Sequence, residues 1–490
     1  MKKIPFISIA LATIFGMTAA ASAATYTVNM CGASAQAGFW EASGAAVVVD
    51  EYNCDSGVLD WETGNDKNLI IRGLNCTVDS TGTKDDTVYV RYLASNSATG
   101  CNNYTCGSQN YALPSSCSFN PASPGSCTQT EADECQLGCA DVPCPAFNAS
   151  TRGAGSNCST GGLVQVGPIA YTADTEIFQG VVVPFGFIVN DAVTHSVCDY
   201  TAVYDDIAVR PNPGDVEWAY NKDGWQCDPD KADACRGDYK CIDGFCQDGI
   251  GTRTCVTAAD CKETICPTCV RKPLDNLSLL QVCHIFSGAV DNWRDFGPAF
   301  SEVPVTRCMR MAGSGTHQTM INAVMDLCGL SILTRTAPPY TCHYTSSTDL
   351  TRCVDNASGG IGYADADKAM FTSGLNNGVH QLKLNGSAPS RYDIASGKYL
   401  FFSSQVCFMD PTIAACHTGA DALDAAILRE IQTRAANPTY LAFSNFEQRA
   451  YFWATQDEML VERLNGDPRN FPTNVPALNR PGASDDRSDW

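Results

Sequence analysis

The stretch from Arg310 to Thr316, Arg-Met-Ala-Gly-Ser-Gly-Thr, has the residue types of a cradle for an oxyanion. Ser314 is placed to cap a helix whose first N–H groups face outward, at the positive end of the helix dipole. The two glycines let the backbone approach a ligand closely, and Arg310 can add a bidentate fork. This combination predicts an anion site at the start of a helix.

The flanking residues predict the elements that position this turn. Residues 303–309 form a β-type run that leads into it. A helical pattern follows, and Gly329 stands where a C-terminal cap belongs. The apolar positions of that pattern are Met320, Val324 and Leu327. We therefore expect a strand, a turn and a helix.

Four further segments accompany this turn in chain order. They are Cys31-Gly-Ala-Ser34-Ala35, Gly138-Cys-Ala-Asp141-Val-Pro143, Ile285-Phe-Ser-Gly288 followed by Asn292-Trp293, and Gly359-Gly-Ile-Gly-Tyr363. Together with the turn they resemble the periplasmic phosphate-binding proteins of bacterial phosphate ABC transporters. In that family the first two segments are a phosphate loop and the segment of the ligand-binding aspartate. The other two are structural.

The resemblance also implies a further phosphate-binding serine in the polar loop at residues 94–100, where we choose Ser97 over Ser95. The chain departs from the family after this loop, in a region with eight cysteines from Cys101 to Cys158. This region separates Ser97 from Asp141 by more residues than the family has. The ligand-binding residues implied by the resemblance are Ser34, Ala35, Ser97, Asp141, Arg310, Ser314, Gly315 and Thr316.

Asp141 has a distinct chemical role in this scheme. A carboxylate beside an anion is repulsive unless the ligand donates a proton to it. Hydrogen phosphate carries such a proton at neutral pH and sulfate does not, so Asp141 would select phosphate by penalising its rival. The alternative is an ordinary turn residue before Val142-Pro143.

The fold implied by the resemblance is α/β, a two-lobe periplasmic-binding-protein fold of type II. Lobe 1 takes residues 24–180 and 400–490, and lobe 2 takes residues 181–399. The apolar run at residues 180–189 predicts a buried strand, which in the family crosses between lobes. We expect the return crossing near residues 399–402. Helices are predicted around Leu423, Ile427 and Ile431 and over residues 446–464, followed by an irregular tail at 466–490.

The chain has 27 cysteines, and an oxidising compartment would turn most of them into disulfides. The odd count leaves at least one thiol free or paired between molecules. Eight cysteines at residues 227–269 predict an inserted module in lobe 2, held by four internal disulfides. Within it, Cys266-Pro-Thr-Cys269 could also be a redox motif or half a metal site, and nearby aspartates lack the rest of a calcium loop.

Residues 1–23 have the basic start, apolar core and Ala-Ser-Ala end of a secretory signal, which predicts a periplasmic or extracellular protein. Without Lys2 and Lys3 the 32 basic residues become 30 against 53 acidic ones, a net charge of −23. This charge argues against nucleic acid and anionic membranes. We expect phosphate or a similar oxyanion as the ligand, an ABC permease as a partner, and neither a cofactor nor a metal.

Two alternatives come from other classes of protein. A disulfide-held surface or matrix protein could keep this fold and lose transport, and convergence of the five segments would argue against that loss. An enzyme could use Ser314, His317 and Asp141 as a triad. However, Ala312 breaks a Gly-x-Ser-x-Gly elbow, and the spacing of Ser314 and His317 fits helix capping equally well. We therefore predict a binding protein and not an enzyme.

Overall fold

A computed structural model of the chain describes residues 23–63, 65–78, 82–152, 163–198, 241–242, 245–246, 269–297, 299–333, 341–367, 378–413, 416, 422–442, 453–455 and 459. Several predictions concern segments outside these ranges. They are the signal segment, nearly all of the cysteine-rich module, most of the helix at 446–464, and the tail at 466–490.

The described ranges contain both β-strands and α-helices. The strands are β1 Thr25–Gly32, β2 Ser56–Glu62, β3 Asn65–Cys76, β4 Asp86–Ala94, β5 Ser108–Ala112, β6 Thr130–Glu134, β7 Leu137–Ala140, β8 Ala149–Arg152, β9 Leu163–Val166, β10 Glu176–Asn190, β11 Thr194–Cys198, β12 Cys241–Ile242, β13 Phe245–Cys246, β14 Cys269–Pro273, β15 Asn276–Leu277, β16 Thr306–Arg310, β17 Thr341–Tyr344, β18 Gly360–Asp365, β19 Val379–Leu384, β20 Phe402–Met409 and β21 Ala454–Thr455. The α-helices are α1 Ser34–Tyr52, α2 Ser97–Asn103, α3 Leu279–Ser287, α4 Gly315–Met320, α5 Ser347–Asn356, α6 Arg391–Ala395 and α7 Ala422–Ala435.

These elements confirm the predicted α/β class, since most of the strands join one large mixed sheet. Its main path runs β17-β16-β18-β10-β20-β7-β1-β4-β3-β2, with β15, β19 and β21 attached beside it. Two groups of parallel strands lie in this path. One consists of β4, β1 and β7, and the other consists of β17, β16 and β18.

The long strands β10 and β20 connect the two parallel groups. β10 pairs antiparallel with β20 over its first half and with β18 over its second half, and β20 pairs antiparallel with β7. β7 ends at Ala140, level with Gln179 of β10, whereas β18 ends at Asp365, which pairs with Phe185. The carboxyl ends of the two groups therefore point toward each other along the middle of β10.

The residues of the main core come from both groups and from the helices that cover them. Trp40 of α1, Trp293 and Trp453 are fully buried, as are the apolar side chains of β10 from Val182 to Val189. Trp293 also donates a hydrogen bond from its ring nitrogen to the Gly359 carbonyl, at 3.1 Å. This bond joins two of the motif segments and keeps β18 in place.

Disulfides connect elements that are far apart in the sequence. Cys283 bonds to Cys328, not to the cysteine-rich module, while β11 and β14 pair Cys198 opposite Cys269 in register. The disulfides of the described residues are Cys31–Cys135, Cys54–Cys76, Cys101–Cys144, Cys106–Cys416, Cys117–Cys127, Cys139–Cys407, Cys283–Cys328 and Cys308–Cys353. No helix among the described residues is long and apolar enough to cross a bilayer.

Candidate functional site

Arg310 is the last residue of β16, and the turn after it starts a helix as predicted. Gly313 has a φ of 91°, a left-handed conformation that favours glycine. Ser314 caps α4 by accepting a hydrogen bond from the His317 N–H. The helical path continues beyond α4 through a π segment and a 3₁₀ turn to Gly329, whose φ of 65° closes it. The first N–H groups of such a helix have no acceptor within the helix itself.

The Arg310 guanidinium is buried, with 4% of the residue exposed. One terminal nitrogen donates to Ser347 Oγ at 2.6 Å and the other donates to the Thr345 carbonyl at 2.9 Å. The Nε–H group has no hydrogen-bond partner in the described part of the chain. Burial lowers the pKa of Arg310, while Asp365, Tyr363 and Asp141 favour its charged form. A buried cation with an unused N–H donor is well suited to bind an oxygen of an anion, which accepts the hydrogen bond.

Asp141 directly follows β7 and is also buried. Its Oδ2 accepts a hydrogen bond from Ser97 Oγ at 3.2 Å, and its N–H donates to the same hydroxyl at 3.0 Å. Its Oδ1 accepts from Gln405 Nε2 at 2.8 Å. Burial and the nearby Asp365 raise the pKa of Asp141 to about 6, against the effect of both hydrogen bonds and of Arg310.

Ser97 lies in a different local structure from the one we predicted. The predicted loop at residues 94–100 is shorter than expected, because α2 begins at Ser97. The side chain of Asn96 caps this helix by accepting a hydrogen bond from the Thr99 N–H. Since β4 and β7 are both parallel neighbours of β1, their following residues emerge at one edge of the sheet. The long insertion between Ser97 and Asp141 therefore does not separate them in space.

Gly315 joins the two groups of strands. A methyl group in place of its α-hydrogen would overlap with Ser97 Oγ and with the Asp141 side chain. Nearby, the Ala98 N–H donates to the Gly313 carbonyl at 3.2 Å, and the Ala312 N–H donates to Thr151 Oγ1 at 2.9 Å. The start of α4 thus packs directly against the residues that follow β4 and β7.

The remaining predicted site residues lie at the same sheet edges. Ser34 and Ala35 start α1 immediately after β1, and the preceding Ala33 N–H donates to the Cys139 carbonyl at 2.9 Å. Thr316 is buried in the first turn of α4. Within the described residues, Ser97, Asp141 and Gly315 contact one another directly, whereas Ser34 and Ala35 lie at the edge where β1 ends.

The arrangement of His317 differs from that of a catalytic triad. Its Nδ1 lies 2.5 Å from the Tyr363 hydroxyl, and burial lowers its pKa to about 3. The Ser314 hydroxyl is used as the helix cap, and the Asp141 carboxylate accepts from Ser97 and Gln405. His317 is therefore a neutral core residue that positions Tyr363. Across the described ranges, no group of three His, Cys, Asp or Glu residues could hold a metal ion.

Three residues around the site were missed in the sequence. Ser347 and Gln405 bond directly to Arg310 and Asp141, and Asp365 acts on both through its charge. Asp365 is the last residue of β18, two positions after Tyr363 of the Gly-x-Ile-Gly-Tyr segment, so its place at a strand end was a usable signal. Gln405 follows two serines in the otherwise apolar strand β20, and nothing in its neighbours identifies its partner.

No protein-family model and no curated protein sequence matches this chain. Similar solved structures include a phosphate-binding protein from Stenotrophomonas maltophilia, with a TM-score of 0.38, 11% identity, and 92% of this chain and 91% of that chain covered. An ABC-type phosphate transport receptor from Vibrio cholerae has a TM-score of 0.37 at 10% identity, covering 84% and 96%. PstS from Borrelia burgdorferi has a TM-score of 0.35 at 10% identity, covering 86% and 97%. In structure, as in its five motifs, the chain is similar to phosphate-binding proteins, at a low TM-score in each comparison.

Proposed function

We propose that this protein binds a protonated tetrahedral oxyanion, phosphate, between the facing carboxyl ends of its two groups of parallel strands. The observation that carries the proposal is the buried Arg310 guanidinium, whose Nε–H group has no acceptor among the described residues. A buried donor without a partner is costly, and an anion oxygen would satisfy it. The proposal depends on the contacts of Arg310, Asp141 and Gly315 and not on the similarity to solved structures.

The start of α4 supplies the other half of the site. The N–H groups at Gly315 and Thr316 are free of intrahelical acceptors by their position, and Gly315 lies against Ser97 and Asp141. Ser34 and Ala35 start a second helix at the edge where β1 ends. In this proposal, the N–H groups and hydroxyls of both edges surround the anion, and Arg310 balances its charge.

Asp141 gives the site its preference for phosphate. Its carboxylate is an acceptor, so a bound anion must bring a proton to share with it. Hydrogen phosphate does so and sulfate does not. The two alternatives named above are less well supported, because Ser97, Asp141 and Gly315 converge and His317 is bonded to Tyr363.

The same proposal extends to transport. The motif resemblance implies two lobes, residues 24–180 with 400–490 and residues 181–399, with the anion between them. It also implies capture in the periplasm or outside the cell and delivery to an ABC permease. Binding without a reaction is sufficient for that role.

The direct test is calorimetric titration of the oxidised protein with phosphate and, separately, with sulfate. Arg310→Ala should weaken phosphate binding at least tenfold, since charge-assisted bonds contribute about 1.5–3 kcal/mol and about 1.4 kcal/mol is one decade. Arg352→Ala is the matched control, because Arg352 lies exposed on α5 and pairs with the half-exposed Asp349. Equal affinities of wild type and Arg310→Ala would reject Arg310 as a ligand.

The companion variant Asp141→Asn tests the selection of phosphate. The amide can donate as well as accept, so the penalty against fully ionised anions falls. We expect sulfate to gain relative to phosphate in the same titrations. A wild-type protein that binds neither anion would reject the proposed function and favour the surface-protein alternative. Unchanged selectivity in Asp141→Asn would reject only the role of Asp141.

A further inference from the structure

Gln405 is a fully buried amide in the middle of β20. Its Nε2 donates to Asp141 Oδ1 at 2.8 Å. Its Oε1 has no hydrogen-bond partner within the described residues, so the Asp141 bond is the main polar contact of this side chain. A buried amide with an unpartnered oxygen costs free energy, and that cost calls for a reason beyond packing.

The carboxylate that Gln405 contacts is under opposing influences. Burial and the Asp365 charge favour protonation of Asp141. Gln405, Ser97 and Arg310 oppose it. The fourth titratable group nearby is Tyr92 of β4, whose buried hydroxyl donates to the Ala33 carbonyl and stays neutral. Among the groups that stabilise the charged carboxylate, the Gln405 amide directs its Nε2 donor at Oδ1, whereas the Ser97 hydroxyl can rotate.

We propose that Gln405 is a positioning residue that holds Asp141 ionised and acceptor-only, and so makes the site require a proton on the bound anion. This inference rests on the proposed function and deepens it. Ser97 serves one carboxylate oxygen and Gln405 serves the other, so the free lone pairs of Asp141 are left for a hydroxyl of the ligand. The Ser403 hydroxyl fixes the Asp141 carbonyl from the same strand.

Loss of the Gln405 donor has a specific chemical result. The Asp141 carboxyl then takes up a proton from solvent at a higher pH and becomes a donor. A protonated Asp141 can donate a hydrogen bond to a sulfate oxygen, so the site no longer penalises an anion that carries no proton. Selectivity for phosphate therefore falls, and it returns only when the pH is raised far enough to ionise Asp141 again.

The experiment uses the full oxidised protein and titrates inorganic phosphate and sulfate by calorimetry from pH 5 to pH 9. Gln405→Leu removes the donor, and the isosteric Gln405→Glu places a second carboxyl beside Asp141, so that the pair shares a proton. In both variants we expect the pH at which sulfate binding is lost to rise by about one unit or more. At pH 7, a pKa that moves from about 6 to about 7 raises the protonated fraction of Asp141, and with it sulfate binding relative to phosphate, by roughly fivefold.

The control is Gln136→Leu, which removes another buried Gln–carboxylate bond. Gln136 Nε2 donates to Asp424 Oδ2 at 2.7 Å, and Gln136 directly precedes β7, at the opposite end of that strand from Asp141. This variant should lower stability without moving the selectivity curve. If Gln405→Leu and Gln405→Glu lose stability but keep the wild-type pH profile, Gln405 is only structural and the inference is wrong.

A second measurement separates this inference from the proposed function. Thermal unfolding without any anion reports the ionisation of Asp141 alone. Because its folded pKa is raised, wild type loses stability as pH rises toward that pKa, and in Gln405→Leu the loss should extend about one pH unit further. If the unfolding profile shifts but the protein binds no phosphate, the proposed function is wrong and the effect of Gln405 on Asp141 stands. If the protein binds phosphate but the unfolding profile of Gln405→Leu does not shift, Gln405 does not control the ionisation of Asp141.

Discussion

Asp141 lies in an environment that is unfavourable for its charged form. Its pKa is raised from 3.8 to about 6 by burial and by Asp365, although Ser97 and Gln405 bond to it. Such a carboxyl binds a proton more tightly in the folded protein than in the unfolded chain. Ionisation of Asp141 therefore reduces the free energy of unfolding as pH rises from about 4 to about 6.

The variant Asp141→Asn should relieve this cost. Without anion, the stability of this variant relative to wild type should increase by roughly 2–3 kcal/mol between pH 4 and pH 6, because the pKa of Asp141 is raised by about two units. Above pH 6 the difference should stay level. Thermal or urea unfolding of both proteins from pH 4 to pH 8 measures the difference. A difference that is flat with pH would show that Asp141 ionises normally. A gain in stability together with a loss of selectivity is the expected trade-off at a binding site.

The local structure around individual candidate residues was predictable where they stand in a turn with a recognisable pattern. Ser314, Gly315 and Arg310 belong to one continuous motif. The choice of Ser97 over Ser95 depended on the resemblance, and the structure bonds Ser97 to Asp141 while the Ser95 hydroxyl has no partner among the described residues. Gln405 could not be predicted, because its role depends on a partner that lies 264 residues away.

At the scale of elements, the site depends on strands that end in register and on a helix that starts between them. The predicted strand before the turn was confirmed as β16, although it begins at Thr306 and not at residue 303. The buried strand predicted at 180–189 extends further, as β10 from Glu176 to Asn190. Its pairing with β20, β18 and β19 could not be predicted, since strand partners come from distant parts of the chain.

The close approach at the start of α4 leads to a prediction for Gly315. In Gly315→Ala the new methyl group would overlap with Ser97 Oγ and Asp141, so α4 must move away from α2. We expect phosphate affinity to fall by about a hundredfold, in line with the effect of ångström-scale misplacement. Calorimetric titration measures it. Gly167→Ala is the control, since the added methyl group meets nothing there. Unchanged affinity in Gly315→Ala would contradict the tight contact between the two groups of strands.

The whole molecule is held together by disulfides that surround the candidate site. Cys139 lies two residues before Asp141 and bonds to Cys407 of β20. Cys144 lies three residues after Asp141 and bonds to Cys101 of α2, the helix that begins with Ser97. Cys308, two residues before Arg310, bonds to Cys353 of α5, which begins with Ser347. Each bond limits the movement of an element that carries a site residue.

The double variant Cys139→Ser with Cys407→Ser tests the importance of this restraint. We expect at least tenfold weaker phosphate binding, because the Asp141 loop and β20 lose their covalent link and more order must be acquired on binding. The matched control is Cys117→Ser with Cys127→Ser, which opens a bond in a separate apolar cluster. Calorimetry and a melting curve of each protein measure the outcome. Equal losses of affinity in both variants would point to general destabilisation and against a local restraint.

The sequence predicted the disulfide-rich character of the molecule and its α/β class but not the pairing. Cysteine spacing alone allows very many connectivities, and the observed bonds cross between segments such as Cys106 and Cys416. The predicted lobe boundaries and the knot at residues 227–269 remain predictions. Only Cys241, Cys246 and Cys269 of that knot lie in described strands.

The Cys139–Cys407 bond also has a consequence for the order in which the protein can be completed. Its two thiols are 268 residues apart, so at roughly 5–20 residues per second the ribosome delivers the second one tens of seconds after the first. During that interval Cys139 has nearer thiols in the sequence, including Cys101, Cys135 and Cys144, and a bond to any of them must be exchanged before the native pair can form. A ligand that binds only the correctly paired molecule stabilises it by mass action. Phosphate present during oxidation should therefore act as a template that raises the yield of native pairing, and the anion would take part in building the site that captures it.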